Sequence, residues 1–562
     1  MDKNCKQCNS PFKVTDDDLE FYNKVSPVFD GKTYKVPPPT LCPICRQQRR
    51  MAWRNIRTLY KGTCDLCKQP TLSIYSEDKP YTVYCRDCYY SDKWNPLDYG
   101  RDFDFGPQAK PFFEQFDELL KAVPASALDV KEGNENCDYN NYIADNKNCY
   151  LIFAASFNED SYYSMYLQRS RDIVDCYFVF DCELCYECID CYNCYGLQHS
   201  QNCQNCSDSM FLYDCRGCKN CFGCVSLVNK EYHIFNKPYS KEEYERKVHE
   251  LIASKDAFDD AQQKFEALRD EKPRKYYSGV SNESVTGDHI SFSKNSYDCF
   301  DCTYLEDCKY CTWMHQTKTT YDCHGWGLPT ELGYETHLSG QNAYNVRFSE
   351  SCWDNVSDLL YCRYCMYACK YLFGCVGLQR KSYCILNKEY SQEEYEKLVP
   401  RIIEHMKKAG EWGEFFPMSI SPYGYNETEG ARFWPLSKED AKRLGAKWKD
   451  EDQTKKSSTP PVEIPYKIDD VSDEIVGKTL VCDDCSKEYK LIAQELALYR
   501  RIGVPVPRKC HDCRYKSRVA MRSPRQLFER DCDKCGMKIQ STYSSGASER
   551  VYCEKCYLKE VY

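Results

Sequence analysis

The sequence predicts a mostly β protein with helical inserts, in which tandem Cys-rich β-solenoid-like repeats are flanked at both ends by paired four-cysteine modules. Three observations support this prediction. Eight CxxC pairs lie near the two ends of the chain, 25 further cysteines lie between residues 137 and 384, and two central segments repeat each other. The terminal pairs have a regular CxxC spacing, whereas the central cysteines form no regular pairs.

Length and composition narrow the classes of function. A chain of 562 residues can form several cores, so its 41 cysteines are not needed to hold a miniature fold together. The odd cysteine count and a start without a signal-peptide profile favour metal ligands and free thiols over disulfides. We expect a cytoplasmic protein with no membrane span. The net charge of −9 argues against general binding of polyanions, so a nucleic-acid surface would have to be local.

The CxxC pairs form two matching sets. From the second pair onward the spacings in the two sets are identical, so one constant offset relates Cys42 to Cys510 and Cys88 to Cys556, which indicates an internal duplication. Two CxxC pairs supply the four thiolates of a closed tetrahedral zinc site. We therefore predict four structural zinc sites in zinc-ribbon or treble-clef modules, with pairs shared between neighbours or cross-braced. The predicted ligands are Cys5, Cys8, Cys42, Cys45, Cys64, Cys67, Cys85 and Cys88, and Cys482, Cys485, Cys510, Cys513, Cys532, Cys535, Cys553 and Cys556.

The first module of each end resembles a bacterial family of zinc-ribbon domains. The resemblance rests on a CxxC pair, an aromatic residue, a helix with an F/LY pair, a proline turn and CxxCR, in that order at both ends. The whole layout resembles Cys-rich proteins with several zinc ribbons from candidate-phyla bacteria. This resemblance implies an architecture and zinc binding, and it implies no activity.

The central cysteines follow acidic or amide residues. Asp or Asn precedes 14 of the 25, and both residue types tolerate the left-handed backbone of a tight corner. A corner followed by a short β-rich run recurs at Asn148, Asp160 and Asp175, and such repetition is typical of a β-solenoid. We therefore interpret CELCYECIDCYNC at 182–194 as buried, neutral thiols stacked on one another. Additional zinc or iron–sulfur sites, disulfides and a redox role remain the alternatives.

The segments at 222–248 and 373–399 match each other, and each ends in a capping box that opens a helix. Ser240 with Glu243 and Ser391 with Glu394 form these boxes, and the helices should cover the last coil of each repeat region. Ser437 with Asp440 predicts a further short helix. The predicted layout is an N-terminal double zinc module (1–95), a linker with a short helix (96–130), a first solenoid (131–239), a helical insert (240–275), a second solenoid (276–390), a helix, mixed segment and flexible linker (391–470), and a C-terminal double zinc module (471–562).

An arginine-rich segment follows the second CxxC pair at each end. The spacing of four arginines in each segment predicts one helix face, although Pro524 should break the second helix. Such a face suits phosphate binding, with a tryptophan available for stacking. Alternatively, the arginines balance the charge of the zinc–thiolate sites and lie in solvent. The candidate nucleic-acid-binding residues are Arg46, Arg49, Arg50, Trp53, Arg54, Arg57, Arg514, Arg518, Arg522 and Arg525.

The motif search favours a role without catalysis. The sequence contains no Gly-rich phosphate loop, HExxH motif or nucleophile elbow, and its nine histidines are scattered singly. We interpret His324 as a polar residue in a turn, and no small-molecule substrate is evident. The sequence therefore predicts a zinc-binding scaffold that binds RNA or a nucleoprotein particle through its arginine rows. The alternatives are a protein–protein adaptor that uses the solenoid faces, and a thiol redox or metal-storage protein.

Overall fold

The structure, a computed structural model, describes residues 1–450 and 462–561. Strands predominate, and helices lie in the terminal regions and next to two central stretches of parallel strands. The flexible linker predicted within 391–470, which we place at 453–465 from its Ser, Thr and Pro residues, lies largely outside the described residues. Among the helices that the structure describes, none has both the length and the apolar character needed to cross a membrane.

The N-terminal region, 1–130, forms short hairpins that are each followed by a helix. A capping box between Thr15 and Asp18 starts the first helix, and Pro43 occupies the first turn of the second. The elements are β1 (Asp2–Asn4), β2 (Pro11–Lys13), α1 (Asp16–Lys24), β3 (Val28–Phe29), β4 (Lys32–Thr33), α2 (Pro43–Met51), β5 (Tyr60–Thr63), β6 (Pro70–Ser73), β7 (Val83–Tyr84), α3 (Arg86–Tyr89), α4 (Phe112–Ala122) and β8 (Ala125–Ser126).

Parallel strands with a constant step follow, and we call the region 130–238 the first ladder. Phe153 lies opposite Met165, and the parallel strands from Asn141 to Ile234 all keep this separation between paired residues. Two sheets result, one of five and one of seven strands. The strands are β9 (Asn141–Ala144), β10 (Phe153–Ser156), β11 (Met165–Gln168), β12 (Arg171–Val174), β13 (Tyr177–Phe180), β14 (Glu183–Tyr186), β15 (Ile189–Tyr192), β16 (Tyr195–Gln198), β17 (Ser207–Met210), β18 (Lys219–Phe222), β19 (Glu231–Ile234) and the antiparallel β20 (Lys237–Pro238).

A left-handed backbone corner occurs at every third residue of the first ladder. Positive φ angles run at this spacing without interruption from Gly133 to Phe235, and each ladder step therefore contains four corners. The prediction that the Asp and Asn residues before the central cysteines form corners is confirmed, because every one of them has a positive φ. Tyrosine, phenylalanine and leucine occupy other corners, although they lack the local hydrogen bonding that favours Asp and Asn there.

The residue after a corner points into the ladder, and it is most often cysteine or serine. The Cys188 thiol donates to the carbonyls of Tyr186 and Leu197 at 3.5 and 3.4 Å, and the Cys188 N–H donates to Cys176 Sγ at 3.3 Å. Two steps before Cys188, the Ser164 hydroxyl donates to the Tyr162 carbonyl and accepts from the N–H of Cys176. These interior thiols are thus hydrogen-bonded filler, and serine makes the same contacts.

Burial opposes ionisation of the interior thiols. All central cysteines are free and all except Cys137 are buried. Burial raises the pKa of Cys369 to about 12, and it raises the pKa of Cys302 well above its usual range. These two thiols are therefore neutral near pH 7.

A second ladder, 279–389, repeats this design with less regular steps. Gly279 lies opposite Ile290 and Tyr334 lies opposite Arg347, so a step can be shorter or longer than in the first ladder. Corners recur at every third residue across 289–325. The elements are α5 (Lys241–Leu251), α6 (Lys255–Glu271), β21 (Arg274–Lys275), β22 (Gly279–Val280), β23 (Glu283–Ser291), β24 (Lys294–Glu306), β25 (Thr312–Lys318), β26 (Tyr321–Glu331), β27 (Tyr334–Gly340), β28 (Ala343–Arg347), β29 (Ser357–Leu360), β30 (Lys370–Phe373), β31 (Ser382–Ile385) and the antiparallel β32 (Lys388–Glu389).

Helices follow the last strands of each ladder. Both predicted capping boxes, at Ser240 and Ser391, are present, and α5 packs against β19. Ser437 caps a short helix, as predicted. The remaining elements are α7 (Gln392–Ala409), which packs against β31, α8 (Glu429–Phe433), α9 (Lys438–Arg443), β33 (Leu480–Val481), β34 (Glu488–Tyr489), α10 (Ala493–Ile502), α11 (His511–Ala520), β35 (Phe528–Asp531), β36 (Lys538–Ser541), β37 (Val551–Tyr552) and α12 (Glu554–Val561).

Replacing Cys188 tests its role as interior filler. We expect Cys188→Ser to lower the free energy of unfolding by about 1 kcal/mol or less, since the hydroxyl can make the same hydrogen bonds. Cys188→Leu should cost about 1–3 kcal/mol, because the larger side chain would overpack a fully buried position. Urea unfolding measures both. Equal losses for the two variants, or a lower metal content in Cys188→Ser, would contradict this role.

Candidate metal centres and their docking interface

Four cysteine quartets lie in the terminal modules. The ligand atoms of each quartet lie within 4.8 Å of one another, and CxxC pairs that are neighbours in sequence share each quartet. The quartets are Cys5–Cys8–Cys42–Cys45, Cys64–Cys67–Cys85–Cys88, Cys482–Cys485–Cys510–Cys513 and Cys532–Cys535–Cys553–Cys556. The structure thus brings together all the ligand residues that the sequence predicted, and in the sequence-adjacent pairing.

The local fold explains how each quartet closes. The first pair lies at the turn of a hairpin, β1–β2 or β5–β6 in the N-terminal modules. The second pair lies at the start of a helix, where Cys42 and Cys85 precede α2 and α3 as N-cap residues. The C-terminal modules use the hairpins β33–β34 and β35–β36 with α11 and α12 in the same way.

The sulfur spacing fits a tetrahedral metal site. A metal–sulfur bond of about 2.3 Å gives tetrahedral sulfur–sulfur edges of about 3.8 Å. The observed Sγ–Sγ distances are 3.7 Å for Cys8–Cys42, 3.9 Å for Cys67–Cys85, 3.7 Å for Cys485–Cys510 and 3.8 Å for Cys535–Cys553. Backbone N–H groups of Cys85 and Cys553 also donate to Cys64 and Cys532 Sγ, at 3.2 Å each. Each quartet can therefore hold one metal ion with four sulfur ligands.

The central cysteines are arranged differently. Within residues 1–450 and 462–561, no central cysteine joins a group of three or more potential ligands. The thiols of the run at 182–194 lie next to backbone carbonyls. Cys194, for example, donates hydrogen bonds to the carbonyls of Tyr192 and Cys203.

The arginine rows differ from the prediction. Helix α2 ends at Met51 and α11 ends at Ala520, so the later arginines of each row lie in the loops beyond and share no helix face. The side chains are also interior. Of the candidate nucleic-acid-binding residues, Arg46, Arg49, Arg50, Trp53, Arg54, Arg514, Arg518 and Arg525 are buried, and Arg57 and Arg522 are half-buried. The exposed arginine face expected from the spacing is not formed, and Trp53 packs on Phe415 and Phe416.

The arginines bind acidic corners of the ladders instead. In the C-terminal half, Asp175 accepts from Arg514 at 2.6 Å and pairs with Arg518 at 2.8 Å. The duplicated arginines of the N-terminal half repeat this: Asp322 pairs with Arg46 at 2.8 Å and with Arg50 at 3.3 Å. We call these two groups the arginine clamps. Both acceptors are corner residues that precede a cysteine.

Further ion pairs surround each clamp. Glu335 pairs with Arg49 and Arg50 at 2.9 and 2.8 Å. Burial opposes ionisation of Glu335, but these guanidinium groups outweigh it and lower its pKa. Burial is likewise outweighed at Asp301, whose pKa is held below its usual range by Arg522 and Arg525.

Each clamp joins a terminal module to the ladder that lies in the other half of the chain. The first N-terminal module docks on the second ladder, and the first C-terminal module docks on the first ladder. Short parallel strand pairs anchor the second modules: β7 pairs with β8 just before the first ladder, and β37 pairs with β21 just before the second. The duplication therefore extends from the modules to their docking sites.

The sequence analysis did not predict that the arginines dock on the ladders, although the distribution of charge along the chain carries a signal for it. Between Asp172 and Cys215 the sequence has several acidic residues and no Lys or Arg, so this strip would repel phosphates. In the structure it is the surface that receives Arg501 at Asp172, Arg514 at Asp175 and Arg522 at Asp190. Matching excesses of opposite charge within one chain indicate an internal interface as readily as an external partner.

No family model, curated protein or solved structure matches this chain. The resemblance to zinc-ribbon domains therefore stays unconfirmed, and the structure supports the coarser conclusion of four cysteine quartets that could bind metal.

Two aspartates at corners give a matched test of the clamp. Asp175→Asn should lower the free energy of unfolding by about 3–5 kcal/mol, because it leaves Arg514 and Arg518 buried without their counterion. Asp181→Asn should cost at most about 1 kcal/mol, because Asp181 pairs with Arg169 at the surface. Asparagine preserves the corner in both variants. Urea unfolding compares them, and similar small losses would mean that the clamp is energetically unimportant.

Proposed function

We propose that the protein is a zinc-stabilised, non-enzymatic scaffold, in which the terminal metal sites hold two β-solenoids in a fixed arrangement. One observation carries this proposal: a predicted metal ligand is directly followed by a clamp arginine at both ends, Cys45 by Arg46 and Cys513 by Arg514. The metal would fix the start of helices α2 and α11. It would thereby fix the guanidinium groups that neutralise the buried corner aspartates.

Zinc is the ion that suits these quartets best. All four ligands are thiolates and leave no open coordination position, which is typical of structural zinc. The hairpin and helix that present each quartet agree with a treble-clef or zinc-ribbon module. Burial of the central thiol columns, by contrast, supports filler rather than metal storage as the role of those cysteines.

The β-solenoid interpretation rests on the ladder geometry. Parallel pairing with a constant step, four corners in each step, and inward thiols that contact the next step are the features expected of coils stacked on one another. In each coil the corners would face outward, and this places their aspartates where a module can dock.

The scaffold role does not require RNA. Binding of RNA or a nucleoprotein particle through the arginine rows stays a prediction from the sequence, and the burial of those arginines in ion pairs counts against it. We likewise propose a cytoplasmic location from the abundance of free thiols.

Metal analysis of two cysteine variants tests the scaffold proposal. The purified protein should contain about four zinc ions per chain, one for each quartet. Cys45→Ser should lose one zinc, and hydrogen exchange should become faster around Asp322 and Glu335, because α2 would no longer hold its arginines in place. Cys188→Ser, a matched change in an interior column, should keep all the zinc and its exchange pattern.

Three results would contradict the proposal. They are iron or no metal in the quartets, additional zinc lost in Cys188→Ser, and loss of zinc in Cys45→Ser with unchanged exchange in the second ladder.

A further inference from the structure

A cavity of about 480 Å³ lies between the two ladders. Its wall combines aromatic and charged side chains, with Tyr142 and Tyr166 from the first ladder and Trp313 and Trp326 from the second. The exposed Tyr304 is also part of the lining, so the cavity opens to solvent. A concave space that offers both aromatic packing and charged groups can hold a small molecule.

One charged side chain in the lining is fully buried and has no hydrogen-bond partner among the described residues. Arg54 is 0% exposed, and its guanidinium lies 4.9 Å from the ring of Tyr142 and 5.1 Å from the ring of Trp313. Among the described residues, none of its three side-chain nitrogens has a hydrogen-bond partner. The rings cover the faces of the guanidinium, and the donors at its edge are left without an acceptor.

Among the described residues no acid makes a direct ion pair with Arg54, and burial raises the pKa of Glu429 despite the opposing charge of Arg54. The Glu429 carboxylate accepts from Arg432 at 2.7 Å, although the Glu429 backbone N–H donates to the Arg54 carbonyl. Burial lowers the pKa of both His324 and His337 well below the usual range, so these imidazoles are neutral and can supply no negative charge. Burying an isolated cation in this way is costly.

The duplication provides an internal comparison. Arg54 corresponds to Arg522 by the constant offset between the two sets of CxxC pairs, and Arg522 pairs with Asp190 at 2.9 Å and with Asp301. Asp175 and Asp322 occupy corresponding positions in the two ladders. Arg514 and Arg518, which bind Asp175, are the duplicates of Arg46 and Arg50, which bind Asp322. Counting corners from these two aspartates gives the positions that correspond to Asp190 and Asp301.

Apolar residues occupy both corresponding positions. Counting back corner by corner from Asp322 reaches Asp301, and the same number of corners back from Asp175 reaches Ala154. Asp190 is the first corner after Glu187, which lies one ladder step beyond Asp175. In the second ladder, Leu338 is the first corner after Glu335, which lies one step beyond Asp322.

The two apolar residues lie where the missing carboxylates would have to be. Ala154 and Leu338 both line the cavity with Arg54. A Cβ atom placed on Gly325 would lie 2.8 Å from Leu338 Cδ2 and 3.2 Å from Arg54 Nη1, so the leucine and the guanidinium share this corner of the cavity. Arg522 thus pairs with Asp190 and Asp301, whereas its duplicate Arg54 faces the cavity.

We propose that this cavity binds a small molecule that carries an aromatic ring and one anionic group, and that Arg54 is the counterion for that group. The aromatic wall would pack on the ring, and the ligand anion would take the place that Asp190 and Asp301 occupy at Arg522. Such binding goes beyond the scaffold role and does not depend on it.

Two dyes that differ in charge test this inference. The probes are 8-anilinonaphthalene-1-sulfonate, which is an aromatic anion, and N-phenyl-1-naphthylamine, which has the same ring system without the sulfonate. Fluorescence titration of the full-length, metal-loaded protein should show binding of both. Arg54→Met should weaken binding of the anionic dye at least about tenfold and change binding of the neutral dye less than about twofold, as expected for loss of a charged hydrogen bond.

Leu338→Asp provides a second, independent variant. It restores the carboxylate that the other half of the molecule has, so it should weaken binding of the anionic dye as strongly while it leaves Arg54 in place. Arg169→Met is the matched control, since Arg169 lines the same cavity but already pairs with Asp181 at 2.6 Å. Its effect on either dye should stay below about threefold.

Zinc content measured on each variant separates misfolding from loss of the site. If Arg54→Met loses zinc, Leu338→Asp decides the question. The inference is overturned if the anionic dye does not bind, if both dyes weaken equally, or if Arg169→Met has the same effect as Arg54→Met.

Discussion

The left-handed corner at every third residue is the constraint from which the rest of the structure follows. Four corners per ladder step leave space inside for one side chain after each corner, and this is most often a hydrogen-bonded cysteine or serine, with apolar residues such as Leu197 at other steps. A large number of cysteines thus arises from geometry, with no metal required in the centre of the chain. Asp and Asn suit the corners because they tolerate a positive φ, and their side chains then lie on the outside of the ladder.

The corner aspartates also bind the terminal modules to the ladders. Asp175 and Asp322 each bind two arginines from a module that lies far away in the sequence. Replacing such buried pairs by apolar groups can be neutral for stability, so we expect their value here to lie in specificity. A guanidinium pair finds only the ladder step that offers an acidic corner, and this sets the register at which each module docks.

Local patterns in the sequence were sufficient for the quartets, the Asp and Asn corners and the capping boxes, because the residues that form each of them lie close together in the chain. The destination of the arginines was not predictable in this way. Arg46 and Asp322 lie in different halves of the chain, and their positions in the sequence carry no record of the contact. Corners at residues such as Tyr163 and Phe178 also lack a local signal, since the ladder on either side imposes them. The unpaired state of Arg54 becomes visible only when both ladders are aligned through their clamps.

The quartets could bind metal, and this arrangement would couple such binding to ladder stability. The apolar cluster around the first quartet consists of Leu41 and three of the ligand cysteines themselves, with Phe12 and Ile44 at its margin, so the module has little core of its own. Its folding free energy must come mainly from the metal. Loss of the metal would release α2, withdraw Arg46 and Arg50, and leave Asp322 and Glu335 buried without counterions. Linkage acts in both directions, so the docked ladder must also increase the affinity of the quartet for its metal. An isolated terminal module should therefore bind its ion more weakly than the same module in the intact chain.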